Sequence, residues 1–245
     1  MLLLLPPSES KRPGGSGASL EVPALAFGEL APLRERALDA LVALSADPDE
    51  MVRALKLSAR QAGDVDQNRT VRTAPTMAAV DRFTGVLYDA LGAASLDDGA
   101  RSWLGAHAVI QTALLGPVSA LDPIPAFRLS AGHRLPGLPP AKRHWAEETE
   151  RALAGRAGLV LDLRSEAYRA LGPVPGATYV RVVAEAEGGA VRALNHFNKK
   201  AKGLFVRALA ESRPALESVA DLEAWGEASG FVLERAGDEL LLFAE

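Results

Sequence analysis

The densest run of chemistry-bearing residues is Asn195-His-Phe-Asn-Lys-Lys-Ala-Lys-Gly203. With Arg192 and Arg207 it puts five fixed cations within sixteen residues and no acid among them. A helix opening near Asn198 would add free backbone N–H groups and the positive end of its dipole. Such a place suits phosphate, although a solvated basic helix face has the same composition. His196 offers an acid or base. Any of Lys199, Lys200 and Lys202 could form a Schiff base if burial depressed its pKa. A second candidate is Ser8-Glu-Ser-Lys11-Arg12, whose Ser8, Ser10 and Lys11 could hold an anion. A third is Ser165-Glu-Ala-Tyr168, where Ser165 suits a helix cap and Glu166 and Tyr168 remain as polar groups.

Other chemistries lack their signatures. The chain has no cysteine, which excludes thiol catalysis, disulfides, thiolate zinc sites and Cys-ligated clusters. His107, His133, His144 and His196 show no metal-ligand spacing, so no metal and no cofactor are expected. No P-loop, dinucleotide fingerprint or nucleophile elbow is present. Two short helices within 47–72 would carry Arg53, Lys56, Arg60, Arg69 and Arg72, charges that could meet a DNA phosphate or merely decorate a surface. The net charge of −4 is unevenly spread. Residues 211–245 hold nine acids against two arginines, which leaves the first 210 residues at +3. What binds phosphate is a local field and not the total.

These segments need a scaffold. Leu2–Leu5 reads as a buried strand feeding a Pro/Gly/Ser loop, so the first candidate sits at a strand's carboxyl end, where open α/β sheets bind ligands. Leu159–Leu163 does the same for Ser165–Tyr168. Thr178–Ala184 alternates as a strand, Glu187–Gly189 turns into Ala190–Asn195, and Phe231–Leu233 with Leu240–Phe243 reads as a hairpin. His107–Leu115 is a core strand. Helices are expected over Pro32–Leu44, Asp49–Gln61, from near Pro75, over Lys142–Leu153 with Trp145 inward, and from Asn198 through Leu209. Phe83–Leu91 could be helix or strand. The class is therefore α/β, with strands at both ends and a mainly helical insert at about 31–105 that could be a subdomain. Met1–Leu5 is too short for a signal peptide and no run approaches a membrane span, so a cytoplasmic protein without membrane contact is expected.

Several stretches in this order resemble the YaaA peroxide-stress family: LLLPPSESK at 3–11, FTGVLYDAL at 83–91, LLGPVSALDPIPAFRLSAGHRL at 114–135, LDLRSEAY at 161–168 and HFNKKAKG at 196–203. The resemblance covers nearly the whole chain. It implies a single domain over 1–245, a mixed sheet surrounded by helices in a cantaloupe-like α/β fold with a helix-hairpin-helix element and a basic cleft, and a stress-response role against hydrogen peroxide through binding of double-stranded DNA. Carried over by motif, Ser8, Lys11, Arg128, Glu166, Tyr168, Lys199 and Lys200 match the family, as do Gly85, Tyr88, Asp122 and Ser165. Lys202 stands where an arginine is often found, which keeps the charge and loses the bidentate fork. The hairpin candidate is Asp47–Asn68, with Arg60 beside its turn, but it has Gly63 followed by Asp64 and Asp66 where a Gly-x-Gly turn would be usual. The implied partner is duplex DNA, held through Ser8, Lys11, Arg60, Arg128, Glu166, Tyr168, His196, Lys199, Lys200 and Lys202. The alternative is an enzyme, a glycosylase, lyase or nucleotide-processing activity, using Ser8, Lys11, Glu166 and Lys199 on a nucleotide or damaged base.

Overall fold

Four leucines open the chain, and both faces of the strand they form are buried. Leu3 and Leu5 point into the main core, while Leu2 and Leu4 pack with Val109, Leu153 and Val160 on the other side. A strand apolar on both faces belongs in the middle of a covered parallel sheet. The computed structural model, which describes residues 1–58, 61, 63–155, 158–185, 191–193 and 197–244, places it there.

In chain order the elements are β1 (Leu2–Leu5), α1 (Ala31–Ser45), α2 (Pro48–Ala54), α3 (Asp64–Arg69), β2 (Met77–Ala78), α4 (Ala79–Arg82), α5 (Val86–Leu91), α6 (Asp98–His107), β3 (Ala108–Thr112), β4 (Gly116–Ser119), β5 (Pro123–Ile124), α7 (Ala141–Leu153), β6 (Val160–Asp162), α8 (Glu166–Arg169), β7 (Thr178–Glu185), β8 (Val191–Ala193), α9 (Phe197–Ser212), α10 (Val219–Ser229), β9 (Leu233–Ala236) and β10 (Glu239–Phe243). The main sheet runs β4-β3-β1-β6-β7-β10-β9, with β8 also on β7. The five strands β3-β1-β6-β7-β10 are mutually parallel, and β4, β8 and β9 pair antiparallel. β2 and β5 form a separate small antiparallel pair. The chain is thus mixed α/β with a mostly parallel sheet. Among the described residues no helix is long and apolar enough to cross a membrane.

The topology opens a crevice in the sheet. From β1 the chain crosses to β3 on one side; from β6 it crosses to β7 on the other. The loops after β1 and β6 therefore diverge and leave a crevice at their carboxyl ends, the switch point of an open parallel sheet.

Several boundaries differ from the sequence reading. The helix expected over Asp49–Gln61 stops at Ala54, because Lys56 turns left-handed (φ 49°) and Leu57 N–H folds back onto the Val52 carbonyl. The segment after Pro75 first forms β2, whose backbone pairs with β5, and only then α4. Residues 83–91 resolve as helix from Val86 onward. Helices α6 and α10 lie outside the expected set although both carry caps. Asp97 accepts from Ala100 N–H, and Ser218 with Asp221 makes a reciprocal capping box. The expected turn at 187–189 lies outside the described residues, as do the middle residues of the 47–68 segment at 59, 60 and 62.

Candidate functional site

The loop after β1 is held in one conformation by the strand end and by the chain before α5. Ser10 carbonyl accepts from Thr84 N–H, Arg82 carbonyl accepts from Arg12 N–H, and Lys11 bridges to Phe83 as an isolated antiparallel pair. The Tyr88 hydroxyl, at the base of α5, donates to the Pro6 carbonyl at 2.7 Å. Gly85 caps α5 with φ 95° and ψ 176°, backbone that a side chain tolerates poorly. A Cβ there would lie 3.4 Å from Ser8 Oγ and 3.6 Å from Ser10 Oγ. The glycine thus keeps three hydroxyls in a tight cluster: Ser8 and Ser10 are 3.3 Å apart, and Thr84 donates to Ser10 at 2.9 Å.

Lys11 anchors this loop from behind. Its Nζ donates to the Ser8 and Glu9 carbonyls at 3.1 and 3.2 Å and sits over the Phe127 and Phe83 rings at 4.5 and 5.3 Å. The residue keeps some surface toward solvent, but its ammonium group is enclosed. Burial, reinforced by the Arg128 charge, pulls it down to about 7, with Asp64 and Glu9 opposing. Arg128 is positioned just as firmly. Buried Asn68 grips its backbone from both sides, accepting from Arg128 N–H at 2.6 Å and donating to its carbonyl at 2.8 Å. The Arg128 guanidinium then reaches Glu9 at 3.0 Å and approaches Asp64 at 3.7 Å.

At the carboxyl end of β6, Asp162 is buried beneath the crevice. It accepts from Arg164 Nε and Nη2 at 2.9 and 2.7 Å and faces Arg169 at 3.5 Å. The chain then turns through Ser165 into α8, where burial pushes the Tyr168 hydroxyl up to about 12. β7 runs past the end of β6 and presents Tyr179 and Arg181 on one face. Arg181 is paired with Glu239 of β10 in a bidentate contact. From the far side α9 brings Asn198, Lys199 and Lys202. Asn198 Oδ1 is enclosed and accepts no hydrogen bond among the described residues. Lys202 is 4% exposed, and its Nζ donates to the Leu163 carbonyl at 2.9 Å. Its pKa falls to about 8 through burial, opposed by Asp162 and assisted by Arg181 and Arg169.

These groups surround one cavity of about 980 Å³. Its wall combines the 6–10 loop, 84–88, 128–132, 163–168, β7 and the first turns of α9. Arg128 and Arg181 reach this wall already paired with Glu9 and Glu239, while Lys199 and Lys202 have no ion pair among the described residues, so the wall supplies carboxylates, hydroxyls and two amines. A volume near 1,000 Å³ with few polar groups converging is that of a small-ligand site.

Of the sequence-selected residues, Ser8, Arg128, Glu166, Tyr168, Lys199 and Lys202 meet at this cavity. Lys11 stands behind the wall as an anchor, and exposed Lys200 lies outside it. Arg60 and His196 lie outside the described residues. Sequence reasoning passed over Glu9, Thr84, Tyr179, Arg181 and Asn198 as wall residues. Three of these misses had a signal. Tyr179 and Arg181 are two apart on an alternating strand, and Asn198 and Lys202 are four apart on a helix, so each pair shares a face.

The comparisons with known proteins agree along nearly the full chain. A UPF0246 protein of Corynebacterium efficiens is 42% identical over 238 residues, covering 96% of this chain and 95% of its own. A UPF0246 protein of Streptomyces coelicolor is 40% identical over 227 residues, 91% of this chain and 87% of its own. One from Streptococcus pneumoniae is 28% identical over 212 residues, with 82% and 84% covered. The family model described as peroxide stress protein YaaA matches residues 1–236, and the chain belongs to that family.

Proposed function

We propose that this protein acts in resistance to hydrogen peroxide, in the cytoplasm, by binding double-stranded DNA and seating one nucleotide, drawn out of the stack, in the crevice between β1 and β6. The carrying observation is the convergence of Ser8, Glu166, Tyr168, Lys199 and Lys202, from segments far apart in sequence, on one cavity of about 980 Å³. An open trough would suit a whole duplex. A cavity of this size suits one nucleotide, which a protein reaches in duplex DNA by extruding it. A damaged or mispaired nucleotide costs least to unstack, which would direct the protein to oxidised DNA. In this reading the exposed Lys199 and Lys200 of α9 would meet the flanking phosphates. Phosphate contacts of this kind are sequence-independent and salt-sensitive.

The helix pair at 47–68 plays a supporting part in this reading. Arg69 and Arg72 are already held by Asp66, Glu35 and Asp39, and Asn68 is committed to the Arg128 backbone. Protection would come from holding or processing the lesion, because a chain without cysteine has no thiol to reduce peroxide. The test is fluorescence anisotropy with unrelated duplexes, fully paired or carrying one mismatched or abasic position. Binding that weakens steeply with salt, and is tighter for the interrupted duplex, is expected. No binding to any duplex at low salt would remove the proposal.

A further inference from the structure

We propose that Lys202 is the reactive amine of this cavity and that it captures the aldehyde of a sugar phosphate as an imine. The inference rests on the reading of the cavity as a nucleotide site and adds a covalent step to it.

The geometry separates Lys202 from the other lysines. Its side chain lines the cavity and is almost fully withdrawn from water. Among the described residues it has no ion pair, and there only the Leu163 carbonyl, at 2.9 Å, accepts from its Nζ. A structural lysine in so dry a place would be expected to carry a carboxylate partner. Lys11 is the contrast: two carbonyls and two aromatic rings enclose its ammonium group, and it contributes nothing to the cavity wall. Lys199 and Lys200 are exposed. The groups that bear on the Lys202 amine are Asp162, Arg169 and Arg181, with the Tyr179 ring 5.4 Å from its Nζ and Glu166 across the cavity. Burial holds this amine well below the ordinary lysine range, which raises its neutral, nucleophilic fraction near neutral pH.

The ligand class follows from the wall. A neutral amine captures carbonyl carbon reversibly, and exposed Lys199 on the same wall provides charge for a phosphate on the same molecule. In the step, the Nζ lone pair forms a bond to the aldehyde carbon and the carbonyl oxygen takes up a proton. The nitrogen releases one proton as the carbinolamine forms; the carbinolamine hydroxyl then takes a proton from solvent and leaves as water, and the nitrogen lone pair closes the protonated C=N bond. No oxidant or second substrate is consumed. The aldehyde could be an abasic position in DNA or a free sugar phosphate, sources that share this chemistry.

The experiment incubates the full chain with borohydride in two arms, a duplex containing an abasic site and free 2-deoxyribose 5-phosphate. The adduct is located by peptide mass mapping, and duplex binding is followed by anisotropy in parallel. The expected result is an adduct on Lys202 in at least one arm, with trapping that rises as pH approaches 8. It should fall at least 100-fold in Lys202→Arg and persist in Lys199→Arg and Lys200→Arg. Because the site is mapped on the unaltered protein, the result does not depend on Lys202→Arg folding. No adduct in either arm, or an adduct on Lys199 or Lys200 in place of Lys202, overturns the inference. Duplex binding without any adduct leaves the DNA reading standing and removes this one. An adduct on Lys202 from the free sugar phosphate without duplex binding does the reverse.

Discussion

Gly203 is the point at which helix α9 touches helix α5, and Gly203→Ala tests whether that contact sets the cavity. A Cβ on Gly203 would drive into the Leu87 carbonyl oxygen and lie 2.8 Å from Ala90 Cβ. Neither obstacle can rotate away, since one is helix backbone and the other a methyl fixed to it. In an exposed helix the change would stabilise by about 1 kcal/mol through propensity. Overpacking in a close-packed contact costs about 1–3 kcal/mol, and more where backbone must shift. The clash should win, for a net loss on the order of 1–2 kcal/mol. For a chain of 245 residues that is a fall in Tm of roughly 2–8 °C. The functional effect is the sharper reading. α5 contributes Val86, Leu87 and Tyr88 to the cavity, and α9 contributes Asn198, Lys199 and Lys202. Pushing the helices apart moves two walls without altering a single wall residue. The assay is a thermal melt together with anisotropy on an interrupted duplex. Gly63→Ala is the control for the melt alone, since a Cβ there meets nothing within 4 Å. Unchanged Tm and unchanged affinity in Gly203→Ala would refute the claim that this contact positions the site.

Asp162→Asn leaves buried Arg164 without its carboxylate, so a loss of about 3–5 kcal/mol is expected in urea unfolding; a loss under 1 kcal/mol would mean that the pair is not holding the end of β6. Lys11 and Lys202 both have folded-state pKa values depressed below the unfolded value. Between about 8 and 10.5 the unfolded chain therefore binds more protons, and stability falls as pH drops through that window. From pH 10 to pH 8 the unfolding free energy should decline by a few kcal/mol, on the order of 1 per pH unit for each lysine, and a flat profile would show these amines to be solvated. Lys199→Ala should weaken binding to all duplexes alike and reduce the slope of log affinity against log salt by about 1. An unchanged slope would place Lys199 away from phosphate.

Much of this arrangement was legible in the sequence, and the residues show why. Leu2–Leu5 reads as a buried strand because a Gly/Pro loop follows it, although a helix fragment has the same composition, and the alternation of Thr178–Ala184 marks β7. The loop at 6–10 and the turn at 163–168 were placed at strand ends by punctuation alone, and both reached the cavity. What could not be read was strand order. Nothing local in Leu159–Leu163 says that it pairs with Leu2–Leu5 and not with a nearer strand, yet that pairing makes the crevice. The burial of Lys202 was equally hidden, because composition shows Lys199, Lys200 and Lys202 as equivalent charges. Helical spacing separates them only once it is known that α9 packs on α5 through Gly203. The pairing of Arg181 with Glu239 required the parallel register of β7 and β10, a contact 58 residues long in sequence. The helix that ended at Ala54 failed for a different reason: a left-handed Lys56 has no sequence signature comparable to glycine.

The central claim is that the crevice between β1 and β6 receives one nucleotide taken out of duplex DNA. The most direct measurement places 2-aminopurine in the mismatched position of a duplex and follows its fluorescence on adding protein, with Ala167→Trp in parallel. Ala167 is exposed on α8 at the cavity wall, so a tryptophan there narrows the cavity without entering the core. The account predicts a fluorescence rise as the base unstacks with the unaltered protein, and binding without the rise in Ala167→Trp. A rise of equal size in both proteins, or binding by the unaltered protein with the base still stacked, would contradict it.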